Sequence, residues 1–277
     1  MKRYPLLLFF ILAFVFSWPI MIIDALGSQG ALDFRVPVPL LVLMGYGPTL
    51  AALLVTGWTK GKSGIRALLR KLLVWRVGML WAVVGILGMA GLFFLAYQLS
   101  NWLGYPVPAA PEIPMSPIVA VPVLFIVSLL INGEEIGWRG FALPRLQARF
   151  NALTASLILG VIWAGFHLPL FWTIGSTQAG QPIFGFLISI VASSIIVTWL
   201  YNNTDSLLLV ILFHASVNTW SQIIPGIDTA HAGIGSIYWL TTGLLCATAV
   251  LITLFFGPET LTRKTIANQK TILPNTL

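Results

Sequence analysis

Two adjacent carboxylates, Glu134 and Glu135, lie in the stretch I-N-G-E-E-I-G-W-R-G-F at 131–141, directly after the apolar run 119–131. They are two of only eight acidic residues in a chain of 277. An ionisable side chain at the centre of a membrane-crossing helix costs roughly 2.5–3.5 kcal/mol, so such a group normally comes with a partner and a task. The spacing offers Arg139 as that partner. It follows Glu135 by four residues and stands over it on one helix face. Glu134, about 100° round the helix, is left free to face elsewhere.

Three further polar side chains fall inside apolar runs. His167 lies in W-A-G-F-H-L-P-L-F-W, and His214 and Asn218 lie in F-H-A-S-V-N. The i,i+4 spacing of His214 and Asn218 projects both from one face of one helix, where they can act on one small group. The third histidine, His231, sits in a connecting loop and reads as a solvated residue. A lone histidine in a membrane helix is often only an interhelical hydrogen-bond partner, worth ~0.6 kcal/mol. Several such groups beside a Glu pair, with little else polar in the interior, are better explained by a shared site.

The chemistry open to this set is limited. A desolvated carboxylate next to an imidazole makes a better general base near neutral pH. A His and an Asn from one face can donate hydrogen bonds to an oxygen that gains negative charge. Together they describe cleavage of an acyl bond by water. A serine nucleophile fits poorly, because Ser216 lies on a different face from His214 and Asn218 and no G-x-S-x-G is present. A Glu and two His could also bind zinc, but H-E-x-x-H is absent and the ligands would come from three helices.

The elements that must position these groups are membrane helices. The chain is 58% hydrophobic and 8% charged, with a mean hydropathy of +0.93, far from the roughly one-quarter charged content of a soluble globule. Crossing a hydrocarbon core about 30 Å thick takes roughly 20 helical residues. Eight apolar runs serve, at 5–23, 40–58, 77–99, 117–136, 153–172, 183–201, 206–224 and 236–256. The first is longer than a signal-peptide core and lacks a small-residue cleavage site, so it reads as a retained span. The expectation is one all-α polytopic membrane domain over 1–277. The single cysteine, Cys246, excludes an internal disulfide framework.

The net charge of +7 does not point to nucleic acid, because the basic residues are distributed by side. Lys2 and Arg3 precede the first span, and Lys60, Lys62, Arg66, Arg70, Lys71 and Arg76 fill the second connection. Arg139, Arg145 and Arg149 follow the fourth span, and Arg263, Lys264 and Lys270 lie in the tail. With eight spans all of these share one face and only Arg35 faces the other, which makes that face cytoplasmic and places both termini there. The connection 59–76 alternates basic and apolar groups at helical spacing, as an amphipathic helix lying on anionic membrane lipids does. Pro48 is expected to kink the second span, and the Pro-rich loop after the third, which contains Glu112, is expected to be irregular.

The three motifs E-E-x-x-x-R (Glu134, Glu135, Arg139), aromatic-x-x-x-H (Trp163 to His167) and H-x-x-x-N (His214 to Asn218) occur in that order over about 118–220. This resembles the CAAX prenyl protease and bacteriocin-processing family of intramembrane endopeptidases, which includes the Ras-converting prenyl endopeptidases. The resemblance implies that Glu134 activates water with help from His167, that His214 and Asn218 stabilise the oxyanion, and that Glu135 and Arg139 support them. It implies no cofactor on a glutamate-water mechanism, with zinc the rival. The family's second motif usually begins with Phe; Trp163 replaces it here, a swap expected to preserve packing.

Straight spans place Glu134 near the cytoplasmic end of the fourth span and His167 about 21 Å into the fifth. The two meet if span boundaries shift or if 138–150 forms a buried amphipathic segment. The resulting expectation is an intramembrane endopeptidase acting on a membrane-associated or lipid-modified peptide, in a bacterial plasma membrane. The competing readings are a small transporter or proton-coupled carrier that uses the Glu and His residues as a relay, and a non-catalytic immunity scaffold.

Overall fold

Proline and small polar residues set where the helices begin. In a computed structural model of the chain, described over residues 4–107, 109, 113–227 and 235–263, Pro5, Pro48 and Pro117 stand in the first turns of α1 (Pro5–Ser28), α3 (Gly47–Arg70) and α5 (Pro117–Ile131). The missing N–H of proline costs nothing in a first turn. Asn151 caps α7 (Ala152–Phe166), its Oδ1 accepting from Thr154 N at 2.8 Å. Ser206 caps α9 (Leu207–Ile223) through Leu209 N at 3.0 Å. Such caps satisfy N–H groups that the helix leaves open.

The remaining helices are α2 (Val38–Gly45), α4 (Met79–Trp102), α6 (Leu143–Gln147), α8 (Ile183–Thr204) and α10 (Ser236–Phe256). A π-helical stretch, Ile136–Ala142, leads into α6. Short 3₁₀ turns cover Lys71–Leu73 and Leu168–Trp172. Among the described residues, five segments are long and apolar enough to cross a membrane. Two bent pairs, α2 with Gly47–Leu73 and α5 with Ile136–Gln147, pass the same test when each is taken as one span, and Leu207–Ile223 is a shorter apolar helix. These eight bodies coincide with the eight apolar runs, and the protein is an all-α, multi-pass membrane protein.

Helix α1 packs on α3, α7 on α8, α4 on α9, and α10 on α8 and α4. The π-helical stretch lies against α3, inside the bundle: Trp138, Arg139, Phe141, Ala142 and Leu143 are all fully buried. Two span boundaries therefore differ from the sequence expectation. The second span bends by 55° at Tyr46, two residues before Pro48, which stands in the first turn of a new helix and does not kink an old one. Helix α5 of the fourth span ends at Ile131 and does not run straight to residue 136, and the chain turns by 52° before helix resumes.

The basic connection continues α3 as far as Arg70, with a break at Gly61 (φ +64°), where only glycine is unstrained. Beyond the break Leu68 is buried while Lys62, Arg66 and Arg70 are exposed, the amphipathic arrangement anticipated. Lys71 turns inward instead, its Nζ 2.6 Å from both Asp205 Oδ1 and Tyr201 Oη. At the other end of the chain, 257–263 folds back over the bundle. Carbonyls of Pro258 and Glu259 accept from Leu153 N and Ala152 N, and Asn203 bonds to Leu261 O and Thr262 Oγ1. Lys2, Arg3, Glu112, His231, Lys264 and Lys270 lie outside the described residues.

Gly137 shows how tightly the buried stretch is held. A Cβ there would stand 2.5 Å from Pro48 O and 2.6 Å from Pro48 C. Those are backbone atoms at a helix start and cannot swing aside. Gly137→Ala is expected to destabilise the fold by about 1–3 kcal/mol, the usual range for overpacking, read as a lower midpoint in thermal unfolding of the detergent-solubilised protein.

Candidate functional site

The site is built where α5 stops. Asn132 and Gly133 are poor helix formers, and the carbonyls they leave open are taken by α3 and the residue before it. Tyr46 Oη donates to Leu130 O at 2.6 Å, and Thr49 Oγ1 donates to Gly133 O. The Tyr46 ring lies where a side chain on Gly133 would have to go. The Glu134 carbonyl then accepts from Gly137 N and Trp138 N at 2.9 and 3.0 Å, starting the next helical turn. The break puts both carboxylates in the interior: Glu134 is 7% exposed and Glu135 fully buried.

The side chains form two clusters. In the first, both Trp138 Nε1 and Trp163 Nε1 donate to Glu134 Oε2, at 2.9 and 2.8 Å. The other oxygen, Oε1, stands 3.8 Å from His167 Nε2. His167 is the first residue past α7, and its Nδ1 lies 2.8 Å from Trp163 O. A carbonyl can only accept, so Nδ1 carries a proton and Nε2 is the nitrogen turned to Glu134. Helix α1 fixes this corner through Trp18 Nε1, which donates to Phe166 O at 2.9 Å.

The second cluster is charged. Arg139 Nη1 donates to Glu135 Oε1 at 3.0 Å, and His214 Nδ1 lies 2.8 Å from the same oxygen. The i,i+4 pair anticipated from the spacing is present, with both side chains fully buried. Asn218 follows His214 by one turn on α9 and is half-buried. Ser216 points away, its hydroxyl bonding to Ile86 O of α4 at 2.6 Å. Glu134 and His167 are thus brought together, and Glu135, Arg139 and His214 form a connected triad beside them. The chain break at Asn132 and Gly133, followed by the buried stretch 138–143, brings together the two groups that straight spans kept about 21 Å apart, while 148–150, expected to be buried as well, are exposed.

Trp163 joins the two clusters. Its ring lies under the Arg139 guanidinium, 4.3 Å from Cζ, and meets His214 edge-on at 5.6 Å while its N–H reaches Glu134. Sequence reasoning treated this residue as packing. The signal that it carries more was the indole nitrogen that phenylalanine lacks. Trp138, fully buried and four residues after Glu134, was likewise not singled out. An aromatic wall of Phe166, Phe186 and Phe171 closes the side around His167.

Among the described residues, no three His, Cys, Asp or Glu side chains converge on one metal position. Glu134 and His167 face each other, but His214 is turned by Nδ1 onto Glu135.

Residues 114–220 match the family model described as Type II CAAX prenyl endopeptidase Rce1-like. A curated protein named CAAX prenyl protease 2, from Methanococcus maripaludis, is 37% identical over 111 residues, which cover 38% of this chain and 41% of that protein. The chain thus spans about two fifths of the length of the relative it matches.

Proposed function

We propose that this chain, whose residues 114–220 match the Rce1-like CAAX prenyl endopeptidase family model, is an intramembrane endopeptidase that hydrolyses a peptide bond with water activated by Glu134. The observation that carries the reading is the pairing of Glu134 Oε1 with His167 Nε2, 3.8 Å apart in a nearly dry interior. That separation lets one water hydrogen-bond to both. Its two protons then point to oxygen and nitrogen, and its lone pairs point to an incoming carbonyl carbon.

Proton transfer from water to Glu134 accompanies attack on the carbonyl carbon. The negative charge passes to the carbonyl oxygen, where the Asn218 amide donates to it together with Nε2–H of His214, which takes part as the imidazolium because its Nδ1–H is already given to Glu135. Collapse of this intermediate breaks the C–N bond, and Glu134 returns its proton to the departing amine. Glu135 and Arg139 hold His214 through Nδ1, so their part is orientation. The substrate is a membrane-associated or lipid-modified peptide, because the site lies among membrane helices and the curated relative is named for CAAX prenyl proteolysis. A bacterial plasma membrane is the proposed location, with both termini on the cytoplasmic side.

The test uses purified protein in liposomes with a fluorogenic prenylated peptide and a panel of leader peptides, each with and without a strong chelator. Cleavage that survives chelation is the expected result. Cleavage abolished by chelation and restored by zinc would replace the glutamate-water mechanism with a metal one. If no peptide is cleaved and the liposomes instead show proton-coupled solute uptake, the carrier reading takes its place.

A further inference from the structure

The carboxylate of Glu134 is held in an unusual way. Two indole N–H groups, from two different structural elements, donate to the same oxygen, Oε2. Trp138 comes from the π-helical stretch and Trp163 from α7, and both rings are buried, at 0% and 5% exposure. An ionised carboxylate has two oxygens and about four lone-pair positions. With two donors converging on Oε2, the group cannot rotate about its last bond without losing both, and Oε1 is left as the acceptor on the His167 side.

Trp163 contributes twice to this geometry. Its indole binds Glu134, and its backbone carbonyl binds His167 Nδ1 at 2.8 Å. One residue therefore sets the position of both groups that face the water, with the main chain holding the histidine and the side chain holding the carboxylate. The ring is itself clamped between the Arg139 guanidinium and the edge of His214, so the N–H has little freedom to move off its acceptor.

We infer that Trp138 and Trp163 are positioning residues which clamp Glu134 Oε2 and so present Oε1 as the single basic oxygen to water. This inference rests on the reading of Glu134 as the base, and it separates the indole N–H from the bulk of the ring. Misplacing a reacting group by as little as 1 Å can cost about 100-fold in rate.

Trp163→Phe removes only the N–H and some ring volume, leaving the carbonyl that holds His167. It is expected to lower kcat about 10-fold or more with KM within about twofold of wild type, since the clamp acts on the base and not on the peptide. Trp138→Phe should behave alike, and the double variant should lose more than either. Replacement of Trp163 by benzothienylalanine, which keeps the shape of indole but has sulfur in place of N–H, should reproduce the loss caused by Phe.

A benzothienylalanine protein with wild-type kcat overturns the clamp, because a residue needed only for packing tolerates that change. If Trp163→Phe does not fold, Trp138→Phe and the benzothienylalanine protein decide the matter by the same kcat readout. Failure of the clamp leaves Glu134→Gln inactive as before. Failure of the underlying reading appears differently, as full activity in Glu134→Gln.

Discussion

Glu134→Gln is expected to lower the rate of peptide hydrolysis by about 10²–10⁴-fold, the usual contribution of a positioned general base, without unfolding the protein. The substitution keeps the shape of the side chain. Its amide oxygen can still accept from Trp138 and Trp163, which donate to Oε2 at 2.9 and 2.8 Å. Its NH₂ then faces His167 Nε2 across 3.8 Å, a gap that one bridging water can fill. What is lost is the capacity to take a proton from water. Initial rates in liposomes, together with an unchanged unfolding midpoint, check both halves of the statement. Hydrolysis at more than a tenth of the wild-type rate would remove Glu134 from the role of base.

Arg139→Met is expected to act on the fold. Arg139 and Glu135 are both fully buried, and the Glu135 oxygen that accepts from Arg139 also meets His214. Removing one member of a buried ion pair costs about 3–5 kcal/mol, because the remaining charge has lost its solvent and its partner together. The guanidinium also covers the Trp163 ring at 4.3 Å, so its loss loosens that contact as well. Arg139→Met should therefore lower the thermal midpoint sharply and reduce the yield of monodisperse protein after solubilisation. The paired change Glu135→Gln with Arg139→Met should recover much of this stability, since the Glu135 charge is removed together with its partner. A single variant as stable as wild type would show that the pair is solvated or compensated in a way its burial does not suggest.

The parts of this site that sequence disclosed are those that looked wrong for their surroundings. Glu134, Glu135, Arg139, His167, His214 and Asn218 are each costly in an apolar run, and the four-residue spacings paired them by helix geometry alone. The eight helical bodies were legible for the complementary reason, that long apolar runs have few other places to go. The break at Asn132 and Gly133 was not legible, because it depends on Tyr46 and Thr49 arriving from far along the chain to take up the freed carbonyls. Straight helices extrapolated from the sequence consequently kept Glu134 and His167 apart. The indole contacts were missed because a tryptophan among apolar residues is counted by its ring, although its one N–H bonds to Glu134 here. Lys71 was grouped with its exposed neighbours for want of any local sign that Asp205 and Tyr201 would meet it.

The seven residues Ile136–Ala142 wind more slowly than an α-helix. They fix a rotational phase between the carboxylates on one side and Leu143 on the other. Excising one of the seven while the remaining residues keep their winding would turn Glu134 and Glu135 by nearly one residue's rotation, which is about 100° in an α-helix, relative to α6, and leave every functional side chain in the sequence. The site is thus encoded partly in the number of residues between its parts. A substitution scan, however dense, leaves that number untouched; only insertions and deletions probe it.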